Sequence, residues 1–107
     1  MIAPPDQATI DALKTKHGDD LTLLEAAEVA VVIKPVGLGP YRMFKKKAND
    51  PATVATAGES LFFDVLVYPS REELMKAIEG SPFLLEHFAN EVVKSAGAMA
   101  EVRAKKL

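Results

Sequence analysis

The sequence contains no cysteine, and this absence removes several kinds of chemistry. Disulfide frameworks, thiolate zinc sites and cysteine nucleophiles are all excluded. No apolar run approaches the roughly 20 residues that span a bilayer, and the N-terminus has no basic region followed by an apolar core. We therefore expect no membrane segment and no signal peptide. The lack of thiols also fits a reducing cytoplasm.

An excess of charge of one sign is also missing. The 13 basic and 15 acidic residues give a net charge of −2, so no global field favours nucleic acid or a membrane surface. With 49% hydrophobic and 26% charged residues, the composition is that of a soluble globular protein. The length of 107 residues allows one small domain with a modest core.

The N-terminal third contains a helix signal followed by two apolar runs. Residues 7–16 predict a helix that ends at His17-Gly18, and residues 29–33 form a β-branched run that stops at Lys34-Pro35. The run at residues 21–24 has two interpretations, because Asp20 could instead cap a helix that continues to Val31. We prefer a hairpin over about residues 21–34, because the β-branched run is a poor helix segment and needs a pairing partner.

The connection between these two runs is unusual for a hairpin. Residues 25–28 read Glu-Ala-Ala-Glu and contain none of the residues that favour tight hairpin turns. The sequence therefore leaves the strand register open around Ala26-Ala27.

The middle of the chain predicts two helices. Pro40 opens the first, which continues to Ala48, and Asp50-Pro51 then supplies a cap and a first helical residue for the second. We predict that this second helix runs to about residue 67 and ends before Pro69. Its apolar stripe consists of Val54, Gly58, Leu61, Phe62, Val65 and Leu66.

The C-terminal third predicts two further helices. Ser70 and Glu73 form a capping box, and Gly80 suits a left-handed stop for the helix that they begin. Ser81-Pro82 then caps and opens a helix that ends at Gly97. The whole pattern predicts an α+β fold, mostly α, with an N-terminal helix, a small hairpin and about four short helices.

The same pattern predicts a single domain. It covers residues 1–97, its helical part spans about residues 40–97, and residues 98–107 form a flexible tail.

No group of residues has the spacing of a catalytic or metal site. His17 and His87 lack carboxylates at metal-ligand spacing, and the adjacent pairs Asp19-Asp20 and Glu72-Glu73 are better explained by capping and solvation. We expect no enzyme activity, no cofactor and no metal.

Two groups of residues are candidates for contact with a partner. The basic cluster on the Pro40 helix suits a phosphate or an acidic partner, although a solvated helix face explains it better because the overall charge is negative. The aromatic residues suit a core, but two of them are neighbours that point about 100° apart on one helix, which leaves one near an interface. The candidates are Arg42, Lys45, Lys46, Lys47, Phe62, Phe63, Phe83 and Phe88.

The order of elements and several short motifs resemble the small tail assembly chaperones of long-tailed bacteriophages. The motifs are Lys34-Pro35 after the hairpin, Tyr-Pro-Ser-Arg-Glu-Glu-Leu at residues 68–74, and Ala89-Asn90-Glu91 before Gly97. The sequence departs from the family's pattern at Ala26-Ala27, where a polar or glycine turn is usual.

The resemblance implies a protein without enzymatic activity. Such chaperones bind the tape measure protein in the cytoplasm of the infected cell, help the tail tube to assemble around it and are absent from the mature virion. Many also exist in a longer, frameshifted form. Surplus apolar faces on a short bundle further suggest a homo-oligomer.

Two other classes of function compete with this interpretation. A small helical nucleic-acid-binding module could place Arg42 and residues 45–47 against phosphates, with strongly salt-dependent binding. A small enzyme is disfavoured, because no nucleophile, base and orienting group stand at a recognisable spacing.

Overall fold

A computed structural model describes residues 1–98 and 102–107, with the side chain of Ala98 left aside. The described part is an α+β fold that is mostly α, as predicted. Its elements are α1 (Gln7–His17), β1 (Thr22–Ala26), β2 (Val29–Ile33), α2 (Leu38–Ala48), a 3-10 turn (Val54–Thr56), α3 (Ala57–Val65), β3 (Leu66–Tyr68), α4 (Arg71–Ile78), α5 (Phe83–Val93) and a π-helical turn (Lys94–Ala98).

The predicted tail overlaps the part of the chain that is not described. Residues 99–101 lie outside the described residues, so the flexibility predicted for residues 98–107 remains a prediction. Residues 102–107 are irregular and exposed to solvent.

The hairpin prediction is confirmed, and the structure supplies the register that the sequence left open. β1 and β2 are antiparallel, with Ala26 opposite Val29 and Leu24 opposite Val31. The turn contains only Ala27 and Glu28, which adopt left-handed backbone conformations with φ of 48° and 64°. Two positive φ angles match the twist of a two-residue hairpin, so turn geometry is met here without the usual asparagine or glycine.

The N-terminal residues support this turn through the backbone. The N–H of Ile2 donates to the carbonyl of Glu28 at 3.0 Å, and the N–H of Ala30 donates to the carbonyl of Ile2 at 2.9 Å. Ile2 thus lies beside β2 as a short parallel bridge to Val29. These bonds hold the backbone at Glu28 and Ala30, where the chain leaves a turn that local preference alone would not favour.

The long helix predicted over residues 51–67 is wrong. Asp50 instead caps a turn, accepting a hydrogen bond from the Ala52 N–H at 2.9 Å, and α3 begins only at Ala57. The end of the predicted helix is β3, which pairs antiparallel with β2 through Val32 opposite Tyr68. The apolar pattern of the sequence does not predict this strand, because residues 66–68 become a strand only by pairing with β2, which is distant in the chain.

The sheet order is β1-β2-β3, with β2 in the centre. Every residue of β2 is buried, because helices cover one face and α1 with the N-terminal segment covers the other. The core lies between β2 and the helices α3, α4 and α5. Its largest fully buried side chains are Phe62, Leu61, Leu74, Val31, Val65 and Val92.

The capping predictions have mixed outcomes. Ser70 caps α4 by accepting a hydrogen bond from the Glu73 N–H at 3.2 Å. Gly97 has a left-handed φ of 94° and interrupts the helical backbone inside the turn Lys94–Ala98. Gly80 does not have a positive φ, so the predicted left-handed stop of α4 is wrong.

Pro40 lies two residues inside α2, which begins at Leu38 rather than at the proline. Its missing N–H is tolerated there because the first-turn N–H groups need no partner within the helix.

Candidate functional site: a groove between α2 and α5

Helix α2 is a peripheral helix that lies on α3 through one side only. None of its residues is buried. Its half-buried residues are Pro40, Phe44, Lys47 and Ala48, which share one side at helical spacing. The rest of the helix surface exposes apolar side chains, because Leu38 is 61% exposed, Met43 47% and Tyr41 39%. A helix of this kind offers apolar surface that no other described element covers.

The gap between α2 and the C-terminal end of α5 forms a groove of about 540 Å³. Its floor is Leu61 of α3, on which both α2 and α5 pack. One wall comes from α2 and the residues before it, and the other from Val93 and the π-helical turn. The lining residues are Val36, Gly37, Leu38, Tyr41, Phe44, Lys45, Leu61, Val93, Ala96 and Gly97.

The α2 wall carries a concentrated positive charge. Four of the 13 basic residues and none of the 15 acidic residues lie in α2. Within residues 1–98 and 102–107, the one ion pair joins Lys94 to Glu91 at 3.3 Å on α5. The cations of α2 therefore form no ion pair among the described residues. Arg42, Lys45 and Lys46 are exposed to solvent, whereas Lys47 is half-buried.

The structure divides the predicted basic cluster between two places. Lys45 lines the groove, and Arg42 is exposed one turn away on the same helix. Lys46 is exposed and does not line the groove. Lys47 lies on the other side of α2, in a separate cavity of about 370 Å³.

The cavity that contains Lys47 is a mixed-charge site. Glu59 and Asp64 of α3 line it together with Arg71 of α4. With acidic and basic groups side by side, it lacks the uniform positive charge that a phosphate site needs. The part of the basic cluster that remains available to a partner is thus Arg42, Lys45 and Lys46.

Two of the four candidate phenylalanines are core residues and do not form a partner surface. Phe62 is fully buried and Phe88 is 2% exposed, and their rings stack with centroids 5.8 Å apart. Phe63 is half-buried under Arg71, whose guanidinium carbon lies 4.3 Å from the ring centroid. Phe83 is 72% exposed and remains the one candidate of the four with a free face. Helical spacing shows which side of a helix a residue lies on but not how deeply its side chain is buried. The burial of Phe62 and Phe88 therefore became clear only from tertiary packing.

The sequence prediction missed the apolar residues of the groove. Leu38, Tyr41 and Phe44 recur every three residues, which places them near one side of α2. That periodicity was visible in the sequence and could have identified them. The opposite wall, Val93 and Ala96, could not have been assigned, because those residues continue the buried stripe of α5.

The described residues contain no other recognisable chemistry at this site. They include no group of three or more His, Asp or Glu side chains close enough to hold a metal ion. Within the same described ranges, no helix combines the length and the apolar character needed to cross a bilayer. The groove is therefore best described by its shape, its apolar lining and the cations on one wall.

Comparisons with known proteins identify a fold relative. No protein-family model matches the chain, and no curated protein matches it either. A solved structure of an uncharacterised protein from Bacillus stearothermophilus is similar, with a TM-score of 0.67 and 28% sequence identity. The similarity covers 89% of this chain and 98% of that chain, so it extends over nearly the whole fold.

Proposed function

We propose that this protein is a tail assembly chaperone of a long-tailed bacteriophage. In this role it acts without catalysis in the cytoplasm of the infected cell. It binds the tape measure protein, assists assembly of the tail tube and is absent from the mature virion. The proposal combines the motif resemblance with one structural observation, the exposed apolar groove between α2 and α5.

The groove supports a holding function for a helical client. A chaperone of this type must offer apolar surface to a helix while it remains soluble itself. The apolar residues of the groove meet the first need, and the charged exterior meets the second. No cofactor is needed for such binding.

Co-expression with a candidate tape measure protein, meaning a long, helix-rich chain from a neighbouring gene, is the direct test. We expect the soluble fraction of that partner to rise with this protein and the two to co-purify. The matched variants are Tyr41→Asp, which places a charge in the groove, and Met43→Asp, which places one on another exposed part of α2. Tyr41→Asp should abolish the effect and Met43→Asp should keep it. A partner that is equally soluble with and without this protein refutes the proposal.

A nucleic-acid-binding module is the second candidate, because the cations of α2 have no carboxylate partners among the described residues. In that case duplex DNA should bind at low salt, with an affinity that falls steeply as salt rises. Absence of a mobility shift at low salt dismisses this alternative.

A further inference from the structure

We infer that the groove between α2 and α5 receives an amphipathic helix with acidic residues along one flank of its apolar stripe. This inference rests on the proposed function, and it adds the chemistry of the segment that is bound. It follows from the shape of the groove and from the distribution of charge around it.

The shape of the groove favours a helix as occupant. Helices α2 and α5 both pack on α3, and the groove runs through the gap that they leave. A further helix laid in this gap would contact α2, α3 and α5 together, as a fourth member does in a helical bundle. Its apolar residues at positions i, i+3, i+4 and i+7 would meet the lining of the groove.

The charge around the groove determines which charge the bound helix should carry on one flank. The whole chain has a net charge of −2, yet its segment from Val29 to Asn49 contains five basic residues and no acidic residue. Lys45 lines the groove and Arg42, three residues earlier, lies on the neighbouring surface of the same helix. Carboxylates on a bound helix would find these two cations free of other described partners.

The wall of the groove on the α5 side carries no free cation among the described residues. The bound helix should therefore have acidic residues on one flank only. Val93 and Ala96 form that wall with Gly97, and the nearby Lys94 already pairs with Glu91 at 3.3 Å. The bound helix should therefore present its acidic flank to α2 and a neutral or small-residue flank to α5. Opposite charges set partner choice and register in this way more than they set total affinity.

Binding of designed helical peptides tests the inference without knowledge of the natural client. Three fluorescein-labelled peptides share one leucine stripe and carry Glu, Gln or Lys along one flank. Fluorescence anisotropy with the full chain at low salt gives the three dissociation constants. We expect the Glu peptide to bind about tenfold more tightly than the Lys peptide, with the Gln peptide between them.

Charge reversal in the groove should reverse this preference. In the variant that combines Arg42→Glu and Lys45→Glu, the Lys peptide should bind more tightly than the Glu peptide. Lys76→Glu on the exposed surface of α4 is the control for a general change of charge, and it should keep the original order. Circular dichroism of each variant checks that the fold is retained.

Several results would overturn the inference. Equal binding of the Glu and Lys peptides, or a control that reverses the preference as strongly as the groove variant, shows that the cations of α2 do not select the ligand. Self-association that Tyr41→Asp abolishes shows that a second copy fills the groove. Duplex DNA that competes with the peptides and loses affinity in the groove variant assigns this surface to nucleic acid.

The proposed function and this inference can fail separately. If no peptide binds but the soluble yield of the tape measure partner still rises on co-expression, the chaperone function stands and its binding site lies elsewhere. If the Glu peptide binds as expected but the partner is unaffected, the groove has the inferred chemistry and serves a different client.

Discussion

Phe62 and Phe83 have opposite surroundings although both are aromatic residues on amphipathic helices. Phe62 is fully buried between Phe63 and Phe88, whereas Phe83 is 72% exposed. Truncation of Phe62 to alanine should lower the free energy of unfolding by about 3–5 kcal/mol, because it leaves a cavity in a packed core. Phe83→Ala should change it by less than about 0.5 kcal/mol. Urea denaturation measures both, and equal effects would contradict the assignment of Phe62 to the core.

Asp6 gives a second prediction at the scale of single residues. It caps α1 by accepting a hydrogen bond from the Thr9 N–H at 2.8 Å. Hydrogen bonding from the Thr9 side chain, followed by that from its backbone N–H, holds the pKa of Asp6 below its usual range. Because the folded pKa is lowered, the cap is fully formed above about pH 4 and is lost as pH falls through the lowered pKa.

The backbone amide of Thr9 should report this loss. Its NMR chemical shift should titrate below about pH 4, together with fraying of the first turn of α1. In Asp6→Asn the amide side chain still caps the helix but does not ionise, so the titration of Thr9 should disappear. A titration that persists in this variant would show that another group controls the Thr9 amide.

At the scale of elements, the β1-β2 turn is a place where local preference and structure disagree. Ala27 and Glu28 both have positive φ, which is costly for residues with a Cβ atom. Replacing them with Asn-Gly should raise the free energy of unfolding by about 1 kcal/mol, since this pair adopts the turn without strain. Glu25→Gly in β1 is the control and should destabilise the protein, because glycine weakens a strand. An unchanged or lower stability of the Asn-Gly variant would contradict the turn geometry.

The helices should differ in how readily they open. Helix α3 has four buried residues, whereas α1 and α2 have none. Hydrogen exchange should therefore be slow in α3 and markedly faster in α1 and α2, because few buried contacts oppose their local opening. Measurement by NMR or mass spectrometry would contradict this order if α1 were as protected as α3. The mobility expected for α2 also suits a helix that adjusts to a partner.

The elements also show where sequence patterns are sufficient. The first helix, the hairpin and the capped helix after Ser70 were predictable, because caps, β-branched runs and glycine stops act through neighbouring residues. β3 was not, because Leu66 continues the apolar stripe of the preceding helix, and residues 66–68 become a strand only by pairing with β2. Only one wall of the groove was predictable. Its cations are neighbours in the sequence of α2, whereas the other wall is brought close only by folding.

At the scale of the whole molecule, Phe83 bears on the homo-oligomer that the sequence suggests. Its ring lies outside the groove and is exposed on the first turn of α5. Exposed aromatic side chains are enriched at protein interfaces. We expect concentration-dependent self-association that Phe83→Asp weakens, measured by sedimentation velocity. Val54→Asp, at another exposed apolar residue, should leave association unchanged, and a strictly monomeric wild-type chain would refute the expectation.

The sequence by itself determined the class of fold, the hairpin, the principal caps and the concentration of positive charge on α2. Each of these depends on residues near one another in the chain. The tertiary structure alone decided that Phe62 and Phe88 belong to the core, that Leu66 to Tyr68 form a strand, and that α2 and α5 enclose a groove. The reason is that burial, strand pairing and the gap between two helices depend on contacts between residues distant in sequence.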